Sequence, residues 1–256
     1  GQPVLLGEPP QTQYDLHFSL FGIPVRVHPF FWVIAILLGF SAGKLINLLV
    51  WVVAMFLAIL VHELGHALVM RRYGFSPRII LYGMGGLASS GPAQAYGSAG
   101  SSTQAQILIS AAGPGAGFLL AGLVVAVLAL VGPGVQVVLL NGVVPFVAPV
   151  LEVGSVPDPL TVFTWDLLFI SIFWGVMNLL PVYPLDGGQI AQRVLVAVNP
   201  ADGVRQSLLL SVVTGIAVAV IGLTLMQQPF IAVMFGFLAY FSYRALQAYQ
   251  GRGPWG

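Results

Sequence analysis

The sequence predicts an all-α polytopic membrane protein of about six transmembrane helices, with a short β-hairpin and edge-strand region at the cytoplasmic side. Composition comes first: of 256 residues, 58% are hydrophobic and only 7% are charged, against roughly 25% charged in an ordinary soluble domain. Long charge-free runs come second. None of Asp, Glu, Lys or Arg lies between Lys44 and His62, or within the stretches Ile79 to Leu151, Leu167 to Leu185 and Gln206 to Tyr243. Several of these can span a hydrocarbon core, which takes roughly 20 apolar residues per helix. Third, Pro and Gly punctuate the apolar runs where helices should stop.

In chain order, residues 1–15 carry Pro3, Pro9 and Pro10 and read as an irregular tail. FSLFGIPVRVH, Phe18 to His28, places Gly22 and Pro24 between two short β-prone runs and predicts a hairpin at the membrane surface. Spans are expected at about 29–42, 45–73, 104–131, 162–180, 207–226 and 230–250. The second ends in Arg71, Arg72 and Gly74, a cationic last turn followed by a stop residue. Residues 79–100 are too rich in Gly and Ser for a lipid-facing helix; such backbone must be buried in protein, line a cavity or lie outside the bilayer. The segment at 135–150 could cross, re-enter or lie on the membrane. The expected organisation is a single membrane-embedded domain over 1–256, with tail and hairpin at 1–28 and the core at 29–250, and no cleavable signal peptide is expected.

The basic residues argue orientation and exclude one class of partner. Arg26, Arg71, Arg72, Arg78, Arg193, Arg205, Arg244 and Arg252 fall on one side of a six-span path and Lys44 alone on the other. Lys and Arg near helix ends favour the cytoplasm, so both termini are expected there, in a multi-pass cell-membrane protein. A net charge of +1 with scattered basic residues offers no stripe to neutralise a row of phosphates, so no nucleic-acid partner is expected. Cysteine is absent, which excludes disulfides, thiolate metal sites and a Cys nucleophile.

The chemistry is carried by HELGH, His62 to His66, inside the second span. The i, i+4 spacing sets both imidazoles on one helical face, one turn apart, where they can share a Zn2+ ion while Glu63 acts on zinc-bound water. An ionisable residue inside a spanning helix is costly and marks a functional site by default; the bland alternative is polar pairing within a helix bundle. His17 and His28 flank the hairpin without partner spacing and read as structural. A zinc site that keeps one position for water needs a third protein ligand. Near apolar helices the choices are Glu152, Asp166 and Asp186. Glu152 and Asp166 fall at the opposite membrane face. Asp186 follows the cytoplasmic end of the fourth span, where Pro181 and Pro184 break the helix and Gly187 and Gly188 permit close approach; its bland alternative is a turn or N-cap Asp.

HELGH together with the Asn-x-x-Pro-x-x-Pro-Leu-Asp-Gly run, Asn178 to Gly187, resembles the site-2 protease family of intramembrane zinc metalloproteases. The resemblance covers most of the chain. It implies that His62, His66 and Asp186 hold zinc, that Glu63 is the catalytic base, that Asn178 helps position the substrate strand, and that substrates are transmembrane proteins cut within or near the bilayer. One departure concerns the third span. Family members often carry Gly-Pro-x-x-Asn there, whereas this chain has Gly113, Pro114 and then Gly117 where that Asn would stand, which reads better as a small-residue helix contact. Neither an inserted peptide-binding domain nor a C-terminal nucleotide-sensing domain is seen, so control of substrate entry is expected from helices, loops or a gating membrane partner.

A helical substrate must unwind before its peptide bonds can be attacked. Gly83 to Gly86, and Gly85 and Gly86 in particular, could supply an exposed strand that pairs with it; a plain connecting loop is the alternative. Two rival functions remain from other classes. An ion transporter predicts metal flux without product peptides, and Glu63→Gln separates it from a protease; against a silent membrane scaffold stands the complete set of ligands and base, which such a protein need not keep.

Overall fold

A computed structural model describes residues 8–40, 43–83, 85–90, 100, 102–131, 135–140, 144–149 and 158–250. The chain packs as two compact units, one of Gly1–Gly100 with Gly115–Gly175 and one of Ser101–Pro114 with Val176–Gly256.

The first unit opens on the expected hairpin. Strands β1 (Leu16–Leu20) and β2 (Ile23–Val27) pair antiparallel, and Phe21 and Gly22 turn the chain at φ 52° and 76°, the left-handed pair that matches the twist of a two-residue hairpin. Helices α1 (Pro29–Gly39) and α2 (Leu45–Arg72) follow. They form the crossover that lets β3 (Pro77–Tyr82) run parallel to β2, a connection that parallel strands require. Strand β4 (Gly85–Ser90) then pairs antiparallel with β3, giving a four-stranded sheet in the order β1-β2-β3-β4. The Gly/Ser-rich stretch is thus resolved as sheet up to Ser90; residues 91–99 lie outside the described residues.

Alternation along β2 and β3 builds the core. Ile23, Val25, Val27, Ile79 and Leu81 are buried together with Phe31 and Ala35 of α1 and with Ala54, Ala58 and Ile59 of α2. Small residues on α2 bring it close to the sheet, and Trp51 Nε1 donates to the Ala35 carbonyl at 3.1 Å, tying α1 to α2. The cationic end of α2 is fixed to the hairpin: Arg71 donates to the Phe21 carbonyl at 2.6 Å, and Gly74, at φ 83°, ends the helix. The tail from Glu8 to Asp15 is irregular but tethered. Arg26 bridges Asp15 at 3.1 Å and donates to the Pro9 carbonyl, while Glu8 meets Arg78 at 2.6 Å and accepts from Ser89. Burial pushes the Asp15 carboxyl up, yet hydrogen bonds from Thr12 and from Arg26 outweigh it and hold the group below the ordinary carboxylate range.

Later in this unit, β5 (Val135–Leu140) and β6 (Val144–Pro149) form an antiparallel hairpin. The segment whose course the sequence left open is therefore extended rather than helical; Glu152 lies outside the described residues. Helices α3 (Thr103–Val131) and α4 (Pro159–Asn178) match the third and fourth expected spans. Asp158 caps α4 by accepting from the backbone of Leu160 and Thr161. An ideal Cβ on Gly117 would stand 3.2 Å from the Ser171 carbonyl oxygen. That close approach of α3 to α4 supports the small-residue reading and leaves an Asn there little room.

The second unit contains α5 (Asp186–Val198), α6 (Gly203–Thr224) and α7 (Pro229–Gln250). Gly215 of α6 lets the last two pack closely, since a Cβ there would come to 2.9 Å from that of Ala239. Among the described residues, five helices, α2, α3, α4, α6 and α7, are long and apolar enough to cross a membrane. The first expected span is instead the 11-residue α1, about 16 Å long against a core of about 30 Å. The chain is a multi-pass membrane protein.

Candidate metal centre

The centre is assembled on α2, one turn from its small-residue contact with the sheet. His62, Glu63 and His66 are 3%, 4% and 7% exposed, and ligand-capable atoms of all three lie within 4.8 Å of one another. Among the described residues this is the one such grouping of three. The helical register places the two imidazoles edge to face, with ring centroids 4.9 Å apart. Their Nε2 atoms approach to 3.2 Å. Two nitrogens each about 2.0–2.1 Å from one tetrahedral zinc would stand roughly 3.3–3.4 Å apart. The spacing and the nitrogen donors therefore fit a single zinc ion, which is the cofactor expected from the sequence.

Strand β4 closes over this face of α2. An ideal Cβ on Gly86 would overlap the Glu63 side chain at Cγ and Cδ and come to 2.5 Å from Oε1. Glycine at position 86 is thus what lets the strand cross directly above the carboxylate. Gly85, at φ 109°, has the Trp174 ring of α4 where a Cβ would be, 2.5 Å away. Of the residues expected at the site, His62, Glu63, His66, Gly85 and Gly86 are brought together in the first unit. The packing of Trp174 against Gly85 has no signature in the sequence.

Asn178 and Asp186 belong to the second unit. Asn178 ends α4 and is 9% exposed; Asp186 is the first residue of α5 and is 8% exposed. The turn between them is tight, because a Cβ on Gly187 would overlap the backbone of Leu179 and Leu180, and one on Gly188 would reach 2.5 Å from the backbone of Val182 and Tyr183. The two glycines serve close packing of the turn on the first turn of α5. Asp166 lies within α4 and is not part of the His62, Glu63, His66 grouping. His28 accepts from the Phe30 amide as the N-cap of α1 and His17 contacts the Asp15 carbonyl, both structural roles.

The family profile described as peptidase family M50 matches residues 50–222, which include the HELGH helix and the Asp186 turn. A curated relative from Methanocaldococcus jannaschii, named a zinc metalloprotease, is 26% identical over 183 residues. That similarity covers 70% of this chain and 44% of the relative, so the chain spans less than half of that protein's length. The solved structure of a site-2 protease from the same organism superposes with a TM-score of 0.53 at 23% identity, over 91% of this chain and 95% of that one. The fold is shared with that structure.

Proposed function

The chain belongs to peptidase family M50, and from that premise we propose that it is an intramembrane zinc metalloprotease that hydrolyses peptide bonds in the transmembrane segments of other membrane proteins. The observation that carries the proposal is the buried pair of imidazoles, 3.2 Å apart at Nε2, with the Glu63 carboxylate beside them on a helix long enough to span a bilayer. The name of the Methanocaldococcus jannaschii relative points the same way.

In this reading His62 and His66 would hold zinc, with Asp186 as the third ligand, an assignment that rests on the Pro-Leu-Asp-Gly motif. Zinc held there supplies a Lewis acid that acidifies water to a pKa of about 7 and polarises a carbonyl oxygen. Glu63 takes the proton of the attacking water and passes it to the departing amine. Burial of the trio keeps competing bulk water away and strengthens each polar contact. Asn178 is assigned to hold the substrate backbone, on the family resemblance.

Substrate presentation is assigned to the outer edge of β4. Among the described residues the sheet ends at this strand. The connection of two residues after Tyr82 makes Tyr82 and Gly85 the hydrogen-bonded pair of the hairpin, and His28 donating to the Leu81 carbonyl fixes the opposite alternation on β3. Gly86 and Ala88 then turn their backbone groups to the open edge, where an unwound substrate could add as a strand. Gly85→Pro, which the sequence alone suggests as the test, is unsuitable, since proline is locked near φ −65° and Gly85 sits at φ 109°. Arg26, Arg71 and Arg78 all lie at the sheet end of the first unit, and we assign that end, with both termini, to the cytoplasm.

The test is one assay with two arms. Detergent-purified chain mixed with a single-span membrane protein tagged at both ends is expected to yield two fragments, to stop under a zinc chelator and to resume when zinc is returned. Metal flux into sealed vesicles with no fragments would overturn the reading in favour of a transporter. In the same assay Ala88→Pro removes one edge N–H while sparing the β3–β4 ladder, and cleavage should fall about tenfold or more, on the scale of a lost hydrogen bond with its unsatisfied partner. Unchanged cleavage would sink the strand-addition part alone.

A further inference from the structure

In the turn that carries Asp186 the amides of Leu179, Leu180, Val182 and Leu185 donate to nearby backbone carbonyls, whereas the amide and carbonyl of Tyr183 are met by side chains of other helices. Pro181 and Pro184 contribute no N–H to the turn, and the Tyr183 peptide is held from outside it. Two hydroxyls hold it. Ser211 of α6 accepts from the Tyr183 amide at 3.0 Å and donates to the Ser207 carbonyl at 2.8 Å. Ser242 of α7 donates to the Tyr183 carbonyl at 3.2 Å. The two serines are 1% and 0% exposed, and in a membrane helix a buried hydroxyl without such a task gives little advantage over Ala.

The grip reaches Asp186 through two intervening residues, Pro184 and Leu185. Leu185 donates to the Val182 carbonyl at 2.8 Å and Gln189 donates to the Leu185 carbonyl at 3.0 Å, so the turn is locked to the first turn of α5, where Gly187 and Gly188 seat against it. Close packing of α6 on α7 at Gly215 and Ala239 fixes the separation of the two serine-bearing faces. Both polar groups flanking one residue are thereby clamped from two different helices.

We propose that Ser211 and Ser242 are positioning residues that set the Asp186 carboxylate for metal binding. The inference rests on the reading of Asp186 as a zinc ligand, and supporting groups behind a metal ligand typically change affinity 10–100-fold when removed. The experiment measures zinc affinity of the full chain in detergent by chelator competition, together with the visible spectrum of the cobalt-substituted protein. Ser242→Ala is the primary variant, since it deletes one oxygen and adds no bulk, and Ser211→Ala is its counterpart. Each should weaken zinc about tenfold and alter the cobalt spectrum, and Ser242→Thr, which keeps the hydroxyl, should restore both.

In an Asp186→Ala background, Ser242→Ala should cost nothing further, because coupled residues are non-additive. An equal loss in both backgrounds would mean a general structural role and would overturn the proposal, as would unchanged affinity in the wild-type background. If Asp186→Ala itself leaves zinc affinity intact, it is the ligand reading beneath that fails.

Discussion

Glu63→Gln is expected to reduce peptide-bond cleavage by about 10²–10⁴-fold, the usual contribution of a positioned general base, while zinc stays bound. The two side chains have nearly the same shape, so the packing of α2 under β4 should be preserved. What is lost is the capacity to accept a proton: an amide oxygen accepts a hydrogen bond but does not take up a proton near neutral pH. Glu63 is 4% exposed and β4 lies across it, leaving bulk water poorly placed to replace the base. Zinc content and cleavage measured on one preparation give the result directly. Full activity in the variant would remove Glu63 from the mechanism, and loss of zinc together with activity would assign it as a ligand instead.

Gly86→Ala is expected to be nearly as damaging, by a different route. The added methyl would overlap Glu63 at Cγ and Cδ, so either the carboxylate or the strand has to move. Displacing a catalytic group by about 1 Å can cost 10²-fold in rate, and a loss on that scale is predicted with zinc binding retained, because the methyl meets Glu63 rather than an imidazole. Ala88, two residues along the strand, offers the control: Ala88→Gly adds no atoms toward α2 and should remain active. Comparable activity in Gly86→Ala and wild type would show that the crossing of β4 above Glu63 does not constrain the site.

Much of this was legible in the sequence because membranes simplify the code. Long apolar runs, the HELGH spacing and the Arg71–Arg72–Gly74 helix stop are strong local signals, and the HELGH helix with its stop and the four later spans appear where expected. The hairpin at Phe21–Gly22 was equally readable. The four-stranded sheet was not, because pairing β2 with β3 depends on a contact across the whole α1–α2 crossover, and Gly85 to Ser90 lacks the β-branched and aromatic residues that mark strands. Helix α5 is not expected from the sequence, although the close approach read at Gly187 and Gly188 is what seats its first turn against the preceding turn. Helix α1 is read too long from the sequence, because Gly43 and Lys44 are the evident stop there, whereas the helix ends at Gly39. The clamp by Ser211 and Ser242 leaves no pattern at all: single serines far apart in sequence become partners only when α6 and α7 bring them to one peptide.

The central claim is that this helix holds a catalytic zinc, and the most direct measurement is metal per polypeptide in detergent-purified chain, wild type beside His66→Ala and Asp186→Ala. The account predicts about one zinc per wild-type chain and a large loss in both variants, as a three-ligand site requires. Absence of zinc from the wild type, or zinc retained in full by His66→Ala, would contradict it.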